Sequence, residues 1–261
     1  MKAILLCAGQ GKRLLPLTID KPKCLVEVGD RSMLERQLRV LASVAIDEVV
    51  VATGFRATQI DALLNRLEGP LPPIRTAFNP FFDCGDNLAT CWLGRHEMHQ
   101  PFVLINGDTL FEPAIAEVLL AARSNFPIVV TVDRKPDYDE DDMKVVIDGG
   151  RVAAIGKQQF ERIDAESIGM LRFDDEGARL FRDELDRMMR EPREKARWYL
   201  SAIDRLARKG HVGFCDIQGR RWCEIDTPSD LAWALPRLEP NGEPGRAEAG
   251  AARRVRASRT A

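Results

Sequence analysis

Lys12, Arg13, Lys21 and Lys23 bring four cationic side chains together near the start of the chain. Just ahead of them, Ala8-Gly9-Gln10-Gly11 follows an apolar run from Ala3 to Cys7. Glycines let a backbone turn sharply and bring its N–H groups close to an anion. Charges of this sign on such a loop suit a nucleoside triphosphate held by its phosphates. Two aspartates offer the complementary chemistry. Asp108 follows Val103-Leu104-Ile105-Asn106-Gly107, and Asp226 follows Trp222-Cys223-Glu224-Ile225. Mg²⁺ is held by one or two carboxylates together with phosphate oxygens and water. Held in this way it can orient an α-phosphate and stabilise its developing charge. Each group also has a plainer reading. The lysines could be solvated charges on a glycine turn, Asp108 a turn residue, and Asp226 a helix cap before Thr227-Pro228.

Two commoner phosphate motifs are excluded. G-x-G-x-x-G needs glycine or alanine at position 14, which is Leu14. The P-loop needs glycine at position 6 and Ser or Thr after Gly-Lys, but the chain has Leu6 and Arg13. His96-Glu97-Met98-His99 lacks the histidine spacing of a zinc hydrolase. The 261 residues, 45% hydrophobic and 30% charged, have an ordinary soluble balance and suffice for one large or two small domains. A net charge of −2 gives no basis for a nucleic-acid or membrane surface. No apolar run approaches the ~20 residues of a bilayer span, and the N-terminus lacks signal-peptide layout. A cytoplasmic location is the expectation. Cys7, Cys24, Cys84, Cys91, Cys215 and Cys223 form no C-x-x-C pair, and no disulfides are expected. Cys7 and Cys215 read as small buried hydrophobes, and Cys84 and Cys91 as buried structural thiols.

Apolar, β-branched runs must position these groups. Lys2–Cys7, Glu48–Thr53, Ile74–Phe78, Phe102–Asn106 and Ile128–Val132 read as strands, with helical patterns over Ser32–Val44, Thr58–Leu67 and Pro113–Ser124 between them. Alternation of this kind predicts a mixed, mainly parallel sheet flanked by helices, an α/β fold. Ligands of such sheets bind beyond the carboxyl ends of strands, where both the glycine loop and Asp108 fall. Farther on, Lys144–Ile147 and Arg151–Ile155 read as a hairpin around Gly149-Gly150. Glu166–Phe173 and Val212–Ile217 read as strands, Asp175–Glu191 and Trp198–Lys209 as helices, and Thr227-Pro228 as the opening of a last helix. One domain is expected over 1–238, with a nucleotide-binding part over 1–135 and an acceptor-binding part over 136–238. Residues 239–261 turn to Pro, Gly, Ala, Glu and Arg and are expected to be a disordered tail.

The motif Ala8-Gly9-x-Gly11-x-Arg13-Leu14-x-Pro16-Leu17-Thr18 with Pro22-Lys23-x-Leu25 resembles the signature of nucleotidyltransferases that activate sugar phosphates and related small phosphates. Asn106-Gly107-Asp108 and Glu224-Ile225-Asp226-Thr227 are similar to that family's two metal-binding segments. Within the family, Asn79-Pro80, Asp86-Asn87-Leu88-Ala89-Thr90, Asp142-Met143-Lys144-Val145 and Glu166-Ser167-Ile168-Gly169 look most like cytidylyltransferases acting on phosphocholine, 2-aminoethylphosphonate and inositol 1-phosphate. The Gln-Gly motif more usual in sugar-1-phosphate enzymes is absent near Asp86. The resemblance implies a Rossmann-like, GT-A-type nucleotidyltransferase fold, CTP as a substrate and Mg²⁺ as the cofactor. It implies that Ala8, Gly9, Gly11, Lys12, Arg13, Asn87, Thr90 and Asp108 bind the nucleotide. Arg13, Lys23, Asp108 and Asp226 would be catalytic, with Asp108 and Asp226 on the metal and Lys157 near the acceptor phosphate.

The rest of the acceptor is read from aromatic and acidic residues. Tyr138, Trp198, Tyr199 and Trp222, with Glu224 and the acidic residues Asp139, Glu140, Asp141 and Asp142, could wall a site for a trimethylammonium or amine group through cation–π and charge attraction. The expected reaction is attack by an acceptor phosphate or phosphonate oxygen on the α-phosphorus, releasing pyrophosphate. That nucleophile is already anionic, so no general base is required. Two alternatives stand beside this reading: a sugar-1-phosphate enzyme using UTP, dTTP or GTP, and a non-catalytic nucleotide-binding regulator. Neither nucleic acid nor membrane is expected as a partner, and a homodimer is allowed.

Overall fold

In the computed structural model, residues 1–238 are described, with side chains through residue 234; the expected tail at 239–261 lies outside the described residues. The strands are β1 (Lys2–Cys7), β2 (Glu27–Val28), β3 (Arg31–Ser32), β4 (Glu48–Thr53), β5 (Ile74–Phe78), β6 (Phe102–Asn106), β7 (Thr109–Phe111), β8 (Ile128–Asp133), β9 (Lys144–Asp148), β10 (Arg151–Gly156), β11 (Ala165–Phe173), β12 (Val212–Asp216) and β13 (Trp222–Glu224). The helices are α1 (Met33–Ala42), α2 (Ala57–Leu64), α3 (Asn87–Leu93), α4 (Pro113–Ala121), α5 (Asp175–Met189), α6 (Leu200–Arg208) and α7 (Pro228–Leu238).

β1 runs parallel between β4 and β6, and β5 extends the sheet beyond β4. β11 then pairs antiparallel with β6, β8 and β9, so strands from both halves of the chain share one sheet. β9 and β10 form the expected hairpin, and β12 lies parallel to β8. The two-residue period of a strand sends alternate side chains to opposite faces. Ile4, Leu104 and Val130 face one core with Leu88, Phe181, Leu185, Ile203 and Leu206 of α3, α5 and α6. Ala3, Leu5, Val103 and Ile105 face the other with Leu34, Leu38, Ile60, Ile115 and Leu119 of α1, α2 and α4. A sheet covered on both faces needs continuous apolar strands, and the sequence supplies them.

β11 bends at Gly169, which has a φ of 72°. A Cβ there would lie 2.4 Å from Asn106 Nδ2, so glycine serves both the conformation and the close approach. The bend lets Ala165–Glu166 pair with β9 while Met170–Phe173 pair with β6. A third, smaller cluster joins Leu14 and Val26 from the glycine loop to Leu110, Cys223 and Ile225. It packs the basic loop onto the β7–β13 pair, which stands apart from the main sheet.

Some sequence expectations shift. The helix expected from Trp198 begins at Leu200, which leaves Trp198 outside it. Asn87–Leu93 forms α3, which the apolar periodicity did not reveal. All six cysteines are free, and five are buried; Cys84 is exposed and is a correction to its reading as a buried structural thiol.

Candidate active site

Parallel pairing of β1 and β6 brings Cys7 and Asn106 to the same edge of the sheet. Gly107 N donates to Leu6 O at 3.1 Å, and a Cβ on Gly107 would come within 2.5 Å of that oxygen. Only glycine lets the chain turn there and present Asp108. The chain continues into β7, whose antiparallel partner β13 sets Glu224 opposite Thr109. Ile225 N donates to Asp108 O at 3.1 Å, which delivers Asp226 to Asp108. The cap of α7 is built without the Asp226 carboxylate. Asp230 Oδ2 accepts from the N–H groups of Asp226 and Thr227 at 3.0 and 2.8 Å, and Asp230 N donates to Thr227 Oγ1 at 3.4 Å. The plainer reading of Asp226 as the helix cap is therefore replaced by Thr227 and Asp230.

Lys23 stands between the two aspartates. Its Nζ donates to Asp108 Oδ2 at 2.5 Å and to Asp226 Oδ1 at 2.6 Å. Arg13 Nη2 lies 2.7 Å from the same Asp226 oxygen. Burial opposes charge on Lys23, but Asp108 and Asp226 outweigh it and hold the ammonium above the ordinary lysine range. Burial likewise opposes charge on Asp226, yet Lys23 and Arg13 keep its carboxyl below the usual carboxylate range. The loop that carries these cations is tied to itself. Thr18 Oγ1 donates to Gly11 O at 2.9 Å, and Gln10 Nε2 donates to Thr18 O at 3.2 Å. Gly11 is left-handed with a φ of 75°, and a Cβ there would sit 2.8 Å from the Lys23 stem.

A cavity of about 270 Å³ opens beside this cluster, lined by Ala8, Gly9, Lys23, Asn87, Thr90 and Asp108 among others. A Cβ on Gly9 would meet nothing within 4 Å, so the backbone there faces open space. Asn87 and Thr90 are both held by bonds from elsewhere. Asn87 Oδ1 accepts from Tyr199 N at 2.8 Å, and Thr90 Oγ1 accepts from Asn79 Nδ2 at 3.0 Å. Lys12 is exposed and does not line the cavity.

A second cavity of about 350 Å³ meets the first at Asp86 and is lined by Met143, Lys157 and Trp198 among others. Lys157 Nζ lies 4.7 Å from the centre of the Trp198 ring, which is 40% exposed. Asp141 is 3.7 Å from Lys157 and 3.8 Å from Arg13, and so bridges the two parts of the site. Burial, joined by the charges of Asp108 and Asp226, pushes Glu224 up to about 8, which sets it against the aspartate pair. Tyr138 and Trp222 line neither cavity. The Tyr138 hydroxyl accepts from Lys135 N at 3.3 Å, and Trp222 Nε1 donates to Asp133 Oδ2 at 2.8 Å while its ring packs on the core.

Three further residues brace this region. The sequence assigns no role to Lys135 and Lys144. The expectation of Tyr199 as an acceptor wall is corrected, because it is wholly buried and lines neither cavity. Lys135 Nζ lies 2.7 Å from Asp142 and 2.9 Å from Glu166. The fully buried Lys144 donates to the carbonyls of Glu140 and Lys157 at 3.4 and 3.3 Å. Tyr199 donates to Asn106 Oδ1 at 3.2 Å, from a wholly buried ring. Lys144 and Glu166 lie in motifs noted in the sequence, but a motif does not say which partner a lysine or glutamate will find.

The residues fit a divalent ion. Asp108 Oδ1 is buried and has no hydrogen-bond partner, although its other oxygen holds Lys23. Among the described residues no group of three or more His, Cys, Asp or Glu is arranged to hold a metal alone. Two carboxylates that rely on phosphate oxygens to complete the shell match the habit of Mg²⁺.

A family model described as the MobA-like NTP transferase domain matches residues 3–187. The chain belongs to this family. It is thus an enzyme of the nucleotidyltransferase class, with a mixed α/β fold built on a largely parallel sheet. It is 27% identical over 254 residues to a CTP:phosphoglutamine cytidylyltransferase of Campylobacter jejuni, across 88% of this chain and 98% of that protein. It is 29% identical to a CMP-5'-(3-aminopropyl)phosphonate synthase of Streptomyces rubellomurinus, across 93% of this chain but 40% of that longer protein. The fold is shared with a solved CTP:phosphocholine cytidylyltransferase of Streptococcus pneumoniae, at a TM-score of 0.74 and 21% identity over 91% of this chain and 99% of that one. No helix among the described residues is long and apolar enough to cross a membrane.

Proposed function

We propose that the chain is a cytidylyltransferase that moves CMP from CTP to a small phosphate or phosphonate acceptor and releases pyrophosphate. The observation that carries this reading is the meeting of Lys23, Arg13, Asp108 and Asp226 beside the open backbone at Gly9. The chief difficulty of the reaction is one anion approaching another. Cationic groups fixed in advance at the reacting phosphates lower that barrier. Backbone N–H groups from Ala8 to Gly11 hold the nucleotide, and Arg13 takes its outer phosphates. Lys23 contacts the phosphates that react, and Lys157 holds the acceptor phosphate in line. Mg²⁺ carried by Asp108 and Asp226 would supply positive charge at the α-phosphate. The relatives named above support CTP and acceptors with a phosphate or phosphonate group. Trp198 supplies an aromatic face for the remainder of the acceptor, which suits an amine or trimethylammonium group, whereas Glu224 lines neither cavity.

The test is product identification. Purified protein is incubated with CTP, Mg²⁺ and, separately, phosphocholine, 2-aminoethylphosphonate, inositol 1-phosphate and glucose 1-phosphate. A CMP-linked product of an amine-bearing acceptor is expected by mass spectrometry. Saturation by inositol 1-phosphate with no turnover of either amine would refute the amine assignment. A nucleotide sugar formed from glucose 1-phosphate with UTP, dTTP or GTP would favour the sugar-phosphate alternative.

A further inference from the structure

Lys23 occupies the point at which the two candidate metal ligands meet. Its ammonium contacts one oxygen of Asp108 and one of Asp226, at 2.5 and 2.6 Å. The side chain is only 15% exposed, so little water screens what it touches. Lys23 and Arg13 balance Asp108 and Asp226 charge for charge, leaving this foursome formally neutral. A divalent ion seeking the same oxygens would therefore meet an ammonium already in contact with both. Asp108 Oδ1 is a buried acceptor left without a partner.

The ammonium also has somewhere to go. The stem of Lys23 lies against Gly11, with Cβ, Cγ and Cδ within 2.9 Å of where a Gly11 Cβ would stand. Its root is thus fixed, while its end borders the cavity that opens at Gly9. A lysine head is a compact point charge on a flexible stem and can swing between two sets of oxygens. A triphosphate in that cavity would offer it oxygens of higher charge than the two carboxylates.

We infer that Lys23 is an internal cation that keeps the aspartate pair closed to a free divalent ion until a triphosphate draws the ammonium away. The ion then enters only together with the nucleotide. This rests on the proposed role of Asp108 and Asp226 as the metal pair. Lys23 in this account has two positions. In one it neutralises the empty pair, and in the other it serves the phosphates.

Mn²⁺ binding, followed by the electron paramagnetic resonance of the free ion, tests this without turnover. Wild-type protein alone should bind Mn²⁺ weakly. Lys23→Met should bind it at least about tenfold more tightly, because the competing charge is gone. Lys23→Arg, which keeps the charge, should stay weak, and Lys23→Gln serves if Lys23→Met does not fold. Equal affinity in wild type and the neutral variants, all folded by circular dichroism, would overturn the inference. A second arm adds a non-hydrolysable CTP analogue, with the ion bound by analogue alone subtracted. Loss of the protein-dependent Mn²⁺ signal in Asp108→Asn upholds the aspartate pair as the metal site. A signal untouched by Asp108→Asn would sink that underlying reading, whatever Lys23 does.

Discussion

Asp108→Asn and Asp226→Asn keep the size of each side chain and remove the charge that Lys23 and Arg13 balance. Losing one preorganised electrostatic contact of this kind costs on the order of 3 kcal/mol, or roughly a hundredfold in rate. Each variant is expected to lose at least that much kcat in a pyrophosphate-release assay while its far-ultraviolet circular dichroism stays that of wild type. Turnover within a few-fold of wild type in either would remove it from the reaction. Gly11→Ala tests the loop. A left-handed alanine costs roughly 1 kcal/mol, and its methyl would press on the Lys23 stem. Activity should fall far more than the melting temperature, which circular dichroism reads directly. At this scale the sequence was most legible where chemistry sits in short motifs. Arg13, Lys23, Asp108 and Asp226 could be picked out because charge and glycine spacing are local. Tyr138 and Trp222 could not be placed, because an aromatic ring suits a ligand wall and a core equally well. The bridge from Asp141 to Arg13 and Lys157 depends on a loop conformation that no spacing encodes.

The β7–β13 pair and the bent strand β11 do more to position the site than their lengths suggest. Three residues a side bring Asp226 to Asp108, and such short runs carry no usable periodicity. The ends of β1 and β6 were readable, because continuous apolar runs followed by glycine announce a buried strand and its turn. Gly169→Ala should cost about 1–3 kcal/mol, since it combines positive φ with contact at Asn106. Urea melts would measure it, and a change below a few tenths would contradict the bend as a requirement. The network at the start of β11 carries a pH signature. Burial pushes Glu166 up to about 8, with Asp142 assisting and Lys135 opposing. Asp142, although burial opposes its charge, is held at about 2 by Lys135 and Glu166. A carboxyl whose folded pKa is raised makes the folded state bind more protons, so its contribution to stability declines as pH rises from the unfolded value to about 8. Glu166→Gln mimics the protonated form and escapes that loss. Its stability relative to wild type should rise between pH 5 and pH 8 in urea melts; a pH-independent difference would contradict the shared-charge account.

Across the whole molecule, a sheet covered on both faces fixes where its strand ends emerge, and the candidate site follows from that. The alternation of strands and helices made the fold class legible. The order of strands was not, because pairing between distant runs leaves no local trace. Nothing in Glu166–Phe173 alone shows that one strand will pair with β6, β8 and β9. That pairing places Lys157, Asp141 and Trp198 across from Arg13 and Lys23, so one site draws on both ends of the chain. Among the described residues, the cavity at Gly9 and the cavity at Lys157 share Asp86, which suits a nucleotide and an acceptor lying side by side. The most direct measurement compares kcat/KM for CTP, UTP, dTTP, GTP and ATP in Mg²⁺-dependent pyrophosphate release with an amine-bearing phosphate or phosphonate acceptor. CTP should exceed every other triphosphate by at least about tenfold, a difference of roughly 1.4 kcal/mol in transition-state stabilisation. Preference for another triphosphate, or no pyrophosphate from any of them, would contradict the proposed cytidylyl transfer.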